Sequence, residues 1–149
     1  MNLLVEIDKL RATDFDAVTQ LDGAKAWDIA RESTVPWSRA WVARESGSVV
    51  GCVAGWHVVD EFHVLNLTTR ADRRRRGIAR ALMLEVLAYG RRHRLCRVLL
   101  EVRRSNDAAI VLYQSLGFST TGVRARYYSD DEDALDMALP LDGDASAVR

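Results

Sequence analysis

Cysteine is scarce in this sequence: Cys52 and Cys96 are the only two among 149 residues. Two thiols that far apart exclude a disulfide framework and a four-ligand zinc site, and reduced side chains in a cytosol are the simplest expectation. The three histidines, His57, His63 and His93, lack metal-ligand spacing with one another, so no metal is expected and each is read as structural. Charge of one sign is not in excess either, Lys plus Arg and Asp plus Glu each numbering 21. A global attraction to nucleic acid or to a membrane surface therefore has no basis, and any functional electrostatics must be local. No apolar run approaches the ~20 residues that span a bilayer. The opening Met1 to Leu10 carries Glu6 and Asp8 and lacks a basic leader, which predicts neither a signal peptide nor an anchor and a cytoplasmic location.

What the chain does contain is a globular composition, 48% hydrophobic and 28% charged. A chain of this size buries about 70% of the surface its unfolded form exposes. One domain over residues 1–141 is expected, with Asp142 to Arg149 a frayed tail. Leu3 to Leu10 reads as a strand, and Thr13 with Asp16 three residues on reads as a capping box opening a helix through about Leu21. Trp27 to Ser33 gives a second helix, which Pro36 ends. Ser38 to Arg44 and Val49 to Val59 are extended runs around a hairpin loop, Glu45-Ser46-Gly47-Ser48, and Phe62 to Thr69 is the next strand. Ala79, Leu82, Met83 and Val86 then recur at helical spacing, closed by Arg91, Arg92, His93 and Arg94. Val98 to Val102 is a short apolar strand. Asn106 caps a helix with the inner face Ala109, Leu112, Tyr113 and Leu116, and Gly117 stops it. Phe118 to Arg126 and Ala134 to Leu139 finish as strands, so the order predicts an α+β fold, a mixed sheet covered by helices. Trp27, Trp37, Trp41 and Trp56 are read as packing.

The most informative stretch runs from Asn66 through Arg70-Ala71-Asp72-Arg73-Arg74-Arg75-Arg76-Gly77-Ile78-Ala79-Arg80, an apolar strand passing through a basic loop into a helix. Unpaired N–H groups at a helix N-terminus hold a pyrophosphate by main chain alone, and small residues at Gly77 and Ala79 let it approach. For a basic run by itself, a solvated loop and a nucleic-acid patch are the alternatives.

Arg74-x-x-Gly77-x-Ala79 resembles the GNAT acetyltransferase superfamily, whose acetyl-CoA loop has Gln or Arg, two residues, Gly, one residue, then Gly or Ala. Leu100-Glu101-Val102-Arg103-Arg104-Ser105-Asn106 through Leu116-Gly117-Phe118 is similar to the matching segment of the bacterial ribosomal-protein-alanine N-acetyltransferases. Asp60-Glu61 before Leu65-Asn66-Leu67, and Tyr127-Tyr128 before Glu132-Asp133-Ala134, extend the resemblance over Val49 to Leu139. It implies a mostly antiparallel sheet with splayed central strands, about four flanking helices, and acetyl-CoA as co-substrate without a metal. By the same resemblance Arg74, Arg75, Arg76, Gly77, Ile78, Ala79 and Arg80 hold the phosphates, the backbone of Leu67, Thr68 and Thr69 holds the pantetheine arm, and Asn106 binds CoA while capping its helix. The acceptor it implies is a protein N-terminus, the alanine of a small-subunit ribosomal protein, with no direct need for nucleic acid or membrane. Ala71 stands where the family commonly has proline and Arg104 where it has alanine, and the N-terminal region is compact; these departures bear on peptide selectivity rather than on CoA.

Glu101 interrupts an otherwise apolar strand, and a carboxylate there needs either a partner, such as an arginine, or a task. The task would be general base: an α-ammonium group, with a pKa near ~8, must lose a proton before attacking a thioester, directly or through one water. Tyr113 is either a core tyrosine or, as the resemblance implies, the acid that protonates the departing sulfur. Asp60, Glu61 and the Asp130 to Asp133 run could attract a cationic peptide with Tyr127 and Tyr128 lining its path, or be solvated acids. Cys52 and Cys96 are small packing residues or, beside a thioester, a covalent acetyl carrier. Three functions fit these residues: a protein N-terminal acetyltransferase, a small-molecule amine acetyltransferase of the same fold, and a non-catalytic RNA-binding module.

Overall fold

The computed structural model describes residues 5–21 and 28–141; the expectations for Leu3, Leu4, Trp27 and the Asp142 to Arg149 tail lie outside the described residues. Along the chain come β1 (Val5–Lys9), α1 (Phe15–Thr19), α2 (Ile29–Glu32), β2 (Ser38–Glu45), β3 (Ser48–Val58), β4 (Glu61–Thr69), α3 (Ile78–Arg92), β5 (Arg97–Arg103), α4 (Asp107–Leu116), β6 (Ser119–Arg124) and β7 (Ala134–Pro140). This is the order read from periodicity. The strands form one seven-stranded sheet in the order β1-β2-β3-β4-β5-β7-β6. It is mostly antiparallel, with β4 and β5 parallel. Contacts group the residues into two compact units: one runs to His57 and resumes over Leu65–Ala88, the other takes Val58–Val64 and continues from Tyr89.

In the first unit, β2 and β3 meet at Ser46-Gly47, whose φ angles of 50° and 83° both lie in the left-handed region. A two-residue turn of that hand matches strand twist, and glycine takes the second position without a Cβ penalty. Val18, Leu21, Ile29, Val42 and Cys52 pack together as a core cluster. The start of the first helix departs from expectation. Thr13 and Asp16 are exposed and form no box; instead the Asp14 carboxylate accepts from the Arg11 N–H at 2.9 Å and opens a 3₁₀ turn over Ala12–Asp14. Asp14 is chosen because it points inward, only 4% exposed, where Arg44 binds both its oxygens at 2.8 and 2.9 Å. Arg44 also donates to Asp8 at 2.8 Å.

In the second unit β5 lies between β4 and β7. Its residues alternate: Val98, Leu100 and Val102 are buried, and Arg97, Leu99, Glu101 and Arg103 face the other way. Phe62 and Val64 of β4 are buried likewise. The registered β4–β5 ladder runs from Glu61↔Arg97 to Val64↔Leu100, while β4 itself extends to Thr69 and β5 to Arg103. Asn106 caps α4, its Oδ1 accepting from the Ala109 N–H at 3.2 Å, and Gly117 ends it with φ 107°. Of the expected inner face of α4, Tyr113 is buried and Ala109, Leu112 and Leu116 are half-buried.

Candidate active site

The basic loop belongs to the first unit. β3 carries an extra residue at its bulge, since Ala43 pairs with Gly51 and Arg44 with Val49. The Val50 carbonyl left between them accepts from the Arg70 N–H at 2.8 Å, which fixes where the strand ends and the loop begins. Arg70 pairs with Asp72 at 2.7 Å, and Arg73 pairs with Glu45 at 2.6 Å and with Asp72 at 2.8 Å. Arg75 and Arg76 are exposed and make no ion pair among the described residues. The α3 ladder begins with the Ala81 N–H on the Gly77 carbonyl at 2.9 Å, so the amides of Ile78 and Ala79 precede its first bond. Gly77 has φ 81° and open space where a Cβ would stand. A helix N-terminus with an open glycine and two uncommitted guanidinium groups is an anion cradle, and the residues fit a pyrophosphate.

A close approach at Gly51 sets the start of α3 against the sheet. A Cβ on Gly51 would meet Ile78 Cγ2 at 2.9 Å and the Thr68 carbonyl oxygen at 3.2 Å, so the first turn of α3 approaches β3 as closely as only glycine permits. Thr68 is buried and its hydroxyl donates to Asn66 Oδ1 at 2.7 Å, while Leu67 and Thr69 are half-buried.

The acid–base candidates belong to the second unit. Glu101 lies on the face of β5 opposite the core, and its partner is His63 rather than an arginine: His63 Nε2 stands 2.9 Å from Oε1 and 2.8 Å from Oε2. His63, structural by its spacing in the sequence, is thus the side chain that meets Glu101. The signal was present, since His63 and Glu101 both fall on the non-core phase of their strands. One rung away on that face, Arg97 donates to Glu61. By register His63 stands opposite Leu99, so its contact to Glu101 is diagonal, two residues further along β5.

Tyr113 is 7% exposed and packs on Phe118, ring centroids 5.7 Å apart. Burial pushes its phenol up to about 12, with a smaller contribution from Tyr128. Tyr128 is raised too, chiefly by desolvation, with the Glu101 charge among the lesser causes. Tyr128 is thus within electrostatic reach of both Glu101 and Tyr113. Tyr127 stands edge-on to Tyr128 at 5.1 Å and is 47% exposed.

Of the acids offered to a cationic peptide, all but Asp131 have side-chain partners among the described residues. Besides the Arg97 contact to Glu61, Asp60 accepts the Cys96 thiol at 3.2 Å. Arg103 Nη1 binds Asp130 and Glu132, each at 2.9 Å, and Arg104 reaches Asp133 at 3.4 Å. Asp130, Glu132 and Asp133 thereby tie their loop to the end of β5, and Arg104 is part of that hold. Burial pushes the Cys52 thiol up to about 12 with no exposure to solvent, so it packs as a small apolar side chain.

The chain belongs to the Acetyltransferase (GNAT) family, which it matches over residues 5–118. Its activity is that of an acetyl-CoA-dependent acetyltransferase. Within that class it is 31% identical to the [Ribosomal protein bS18]-alanine N-acetyltransferase of Escherichia coli K12 over 91% of this chain and 97% of that protein. It is 34% identical to the N-alpha-acetyltransferase RimI of Mycobacterium tuberculosis over 84% of this chain and 81% of that one. The crystal structure of the ribosomal-protein-S18-alanine N-acetyltransferase from Escherichia coli superposes with a TM-score of 0.83, covering 92% of this chain and 94% of that chain. Among the described residues no helix is long and apolar enough to cross a membrane.

Proposed function

We propose that this enzyme acetylates the α-amino group of a protein N-terminus in the cytoplasm, its acceptor being the N-terminal alanine of a small-subunit ribosomal protein. The observation that carries this reading is the similarity to the Escherichia coli bS18-alanine enzyme, which runs along nearly the whole of both chains. The Arg74–Arg80 loop holds the pyrophosphate of acetyl-CoA through first-turn amides and the Arg75 and Arg76 side chains, the backbone of Leu67 to Thr69 holds the pantetheine arm, and Asn106 contributes to CoA binding. An amide N–H of that strand polarises the thioester carbonyl. Tyr127 and Tyr128 line the peptide's path at the end of β5, whereas Asp60 and Glu61 stand at its start and take no part in it.

Amine and acetyl-CoA react directly in a ternary complex. The ammonium loses a proton at the Glu101 centre, and the amine attacks the carbonyl to give a tetrahedral intermediate. Collapse expels sulfur, which takes a proton from Tyr113. A phenol raised to about 12 is fully protonated at neutral pH, as a donor must be. Positioning of two bound reactants supplies much of the acceleration.

The test is acetyl transfer to an Ala-starting ribosomal-type peptide, with mass-spectrometric location of the acetyl group and parallel assays of Glu101→Gln and Tyr113→Phe. Acetyl on the α-amine, with both variants impaired but still binding CoA, is expected. Acetylation of polyamines or aminoglycosides in place of the peptide would move the acceptor to small amines. A steep salt dependence of RNA binding without competition by CoA would point to the binding module.

A further inference from the structure

The Glu101 carboxylate occupies one nitrogen of His63 and leaves the other open. Nε2 reaches both carboxylate oxygens, at 2.9 and 2.8 Å, and Nδ1 has no partner among the described residues. An ionised carboxylate only accepts, so the neutral imidazole must carry its hydrogen on Nε2, with the lone pair on Nδ1. The His63 side chain is 33% exposed and that of Glu101 15%, so the imidazole is the more open of the two to an incoming peptide.

We propose that His63 Nδ1, held in this tautomer by Glu101, is the atom that takes the proton from the acceptor's ammonium. The inference rests on the acetyl-transfer reading and refines the role of Glu101 within it. An imidazole, with a reference pKa of about 6.5, is better matched to an ammonium near ~8 than is a carboxyl at ~4.3, and the best base lies close to the operating pH. A carboxylate on the far nitrogen fixes the ring and stabilises the imidazolium as it forms, which makes Glu101 a positioning residue.

The balance closes. R–NH₃⁺ gives one proton to Nδ1, and the freed lone pair forms the C–N bond at the thioester carbonyl. The C–S bond then breaks, and sulfur leaves as the thiol with the Tyr113 proton. The second N–H proton restores the phenol, and the imidazolium returns its proton to water. Overall, ammonium and acetyl-CoA become amide, CoA thiol and one released proton.

The experiment measures kcat for any amine the wild type acetylates, using wild type, His63→Ala, His63→Gln and Glu101→Gln, with and without added imidazole. Folding and CoA binding are checked for each variant. Gln at 63 keeps an N–H donor for Glu101 but cannot accept a proton, so it separates a structural role from a basic one. His63→Ala and His63→Gln are expected to lose on the order of 100-fold in kcat. Imidazole should restore His63→Ala severalfold without affecting wild type, and Glu101→Gln should lose less than either. Nitrogen NMR of histidine-labelled wild type should show a protonated Nε2 and a bare Nδ1 on His63. His63→Gln within about threefold of wild type, or a deeper loss in Glu101→Gln with no imidazole rescue of His63→Ala, would overturn the assignment. A folded wild type that acetylates no amine rejects the acetyl-transfer reading itself, and the inference with it.

Discussion

The Arg103 guanidinium carbon lies 4.1 Å from the centroid of the Tyr128 ring while its Nη1 binds Asp130 and Glu132. One side chain at the end of β5 therefore holds both the face of an aromatic residue and the acidic loop that follows it. The Glu132 carboxylate is also fixed by the Ser105 N–H at 2.8 Å, ahead of α4. Replacing Arg103 with Ala should free Tyr128 and the 130–133 segment together. Steady-state kinetics should show KM for the peptide raised roughly fivefold to twentyfold, while the affinity for CoA changes little, as for the loss of charge-assisted and cation–π contacts at a partly exposed site.

Tyr113 supplies a pH prediction. Its raised value means that the neutral, donating form persists through ordinary alkaline assays and is depleted only as pH approaches about 12. Titration of Tyr113 should therefore cause no alkaline decline in kcat up to pH 10. Tyr113→Phe should lower kcat by roughly 10²-fold across that range without changing the shape of the profile.

Asp14 links acid to stability. Hydrogen bonding to Arg44, its largest cause, lowers the pKa of this buried carboxyl. A depressed folded value means the stabilisation is present above the ordinary carboxyl pKa of about 3.9 and is lost as pH falls through the lower folded value. Asp14→Asn should cost about 1–3 kcal/mol at neutral pH, and its stability should fall less steeply than that of wild type below about pH 4. Urea melts at pH 7 and pH 3 would show both effects.

Val59 sits at the turn between β3 and β4 with φ 56° and 87% of its surface exposed. A β-branched residue in the left-handed region is strained, and here it has almost no burial to offset the strain. Val59→Asn, which tolerates that backbone, should raise stability by about 0.5–1 kcal/mol and Tm by roughly 2–5 °C, with activity unchanged.

Local signals were legible in the sequence and non-local ones were not. Ser46-Gly47, Asn106 and Gly117 announce their turn, cap and stop because the chemistry that requires them lies within three or four residues. The stripe of α3 and the short apolar run of β5 are equally self-contained. The box at Thr13 and Asp16 failed because a competing carboxylate, Asp14, has a partner 30 residues away in Arg44. The meeting of His63 with Glu101 is not legible in the sequence because the two lie 38 residues apart, across a parallel ladder whose register no local pattern states. The acidic run at 130–133 looked like free charge because Arg103 and Arg104, which engage it, stand on another strand and the turn beyond it.

The ion pair of Arg73 with Glu45 bears on the thermodynamics of co-substrate capture. Glu45 ends β2, and Arg73 lies between the strand and the cradle. By tethering the loop to the sheet before any anion arrives, the pair moves part of the ordering entropy from the binding step to the folding step. Mutation there should register in calorimetry as a less favourable binding entropy with the phosphate contacts intact, the signature of a receptor that has lost its preorganisation.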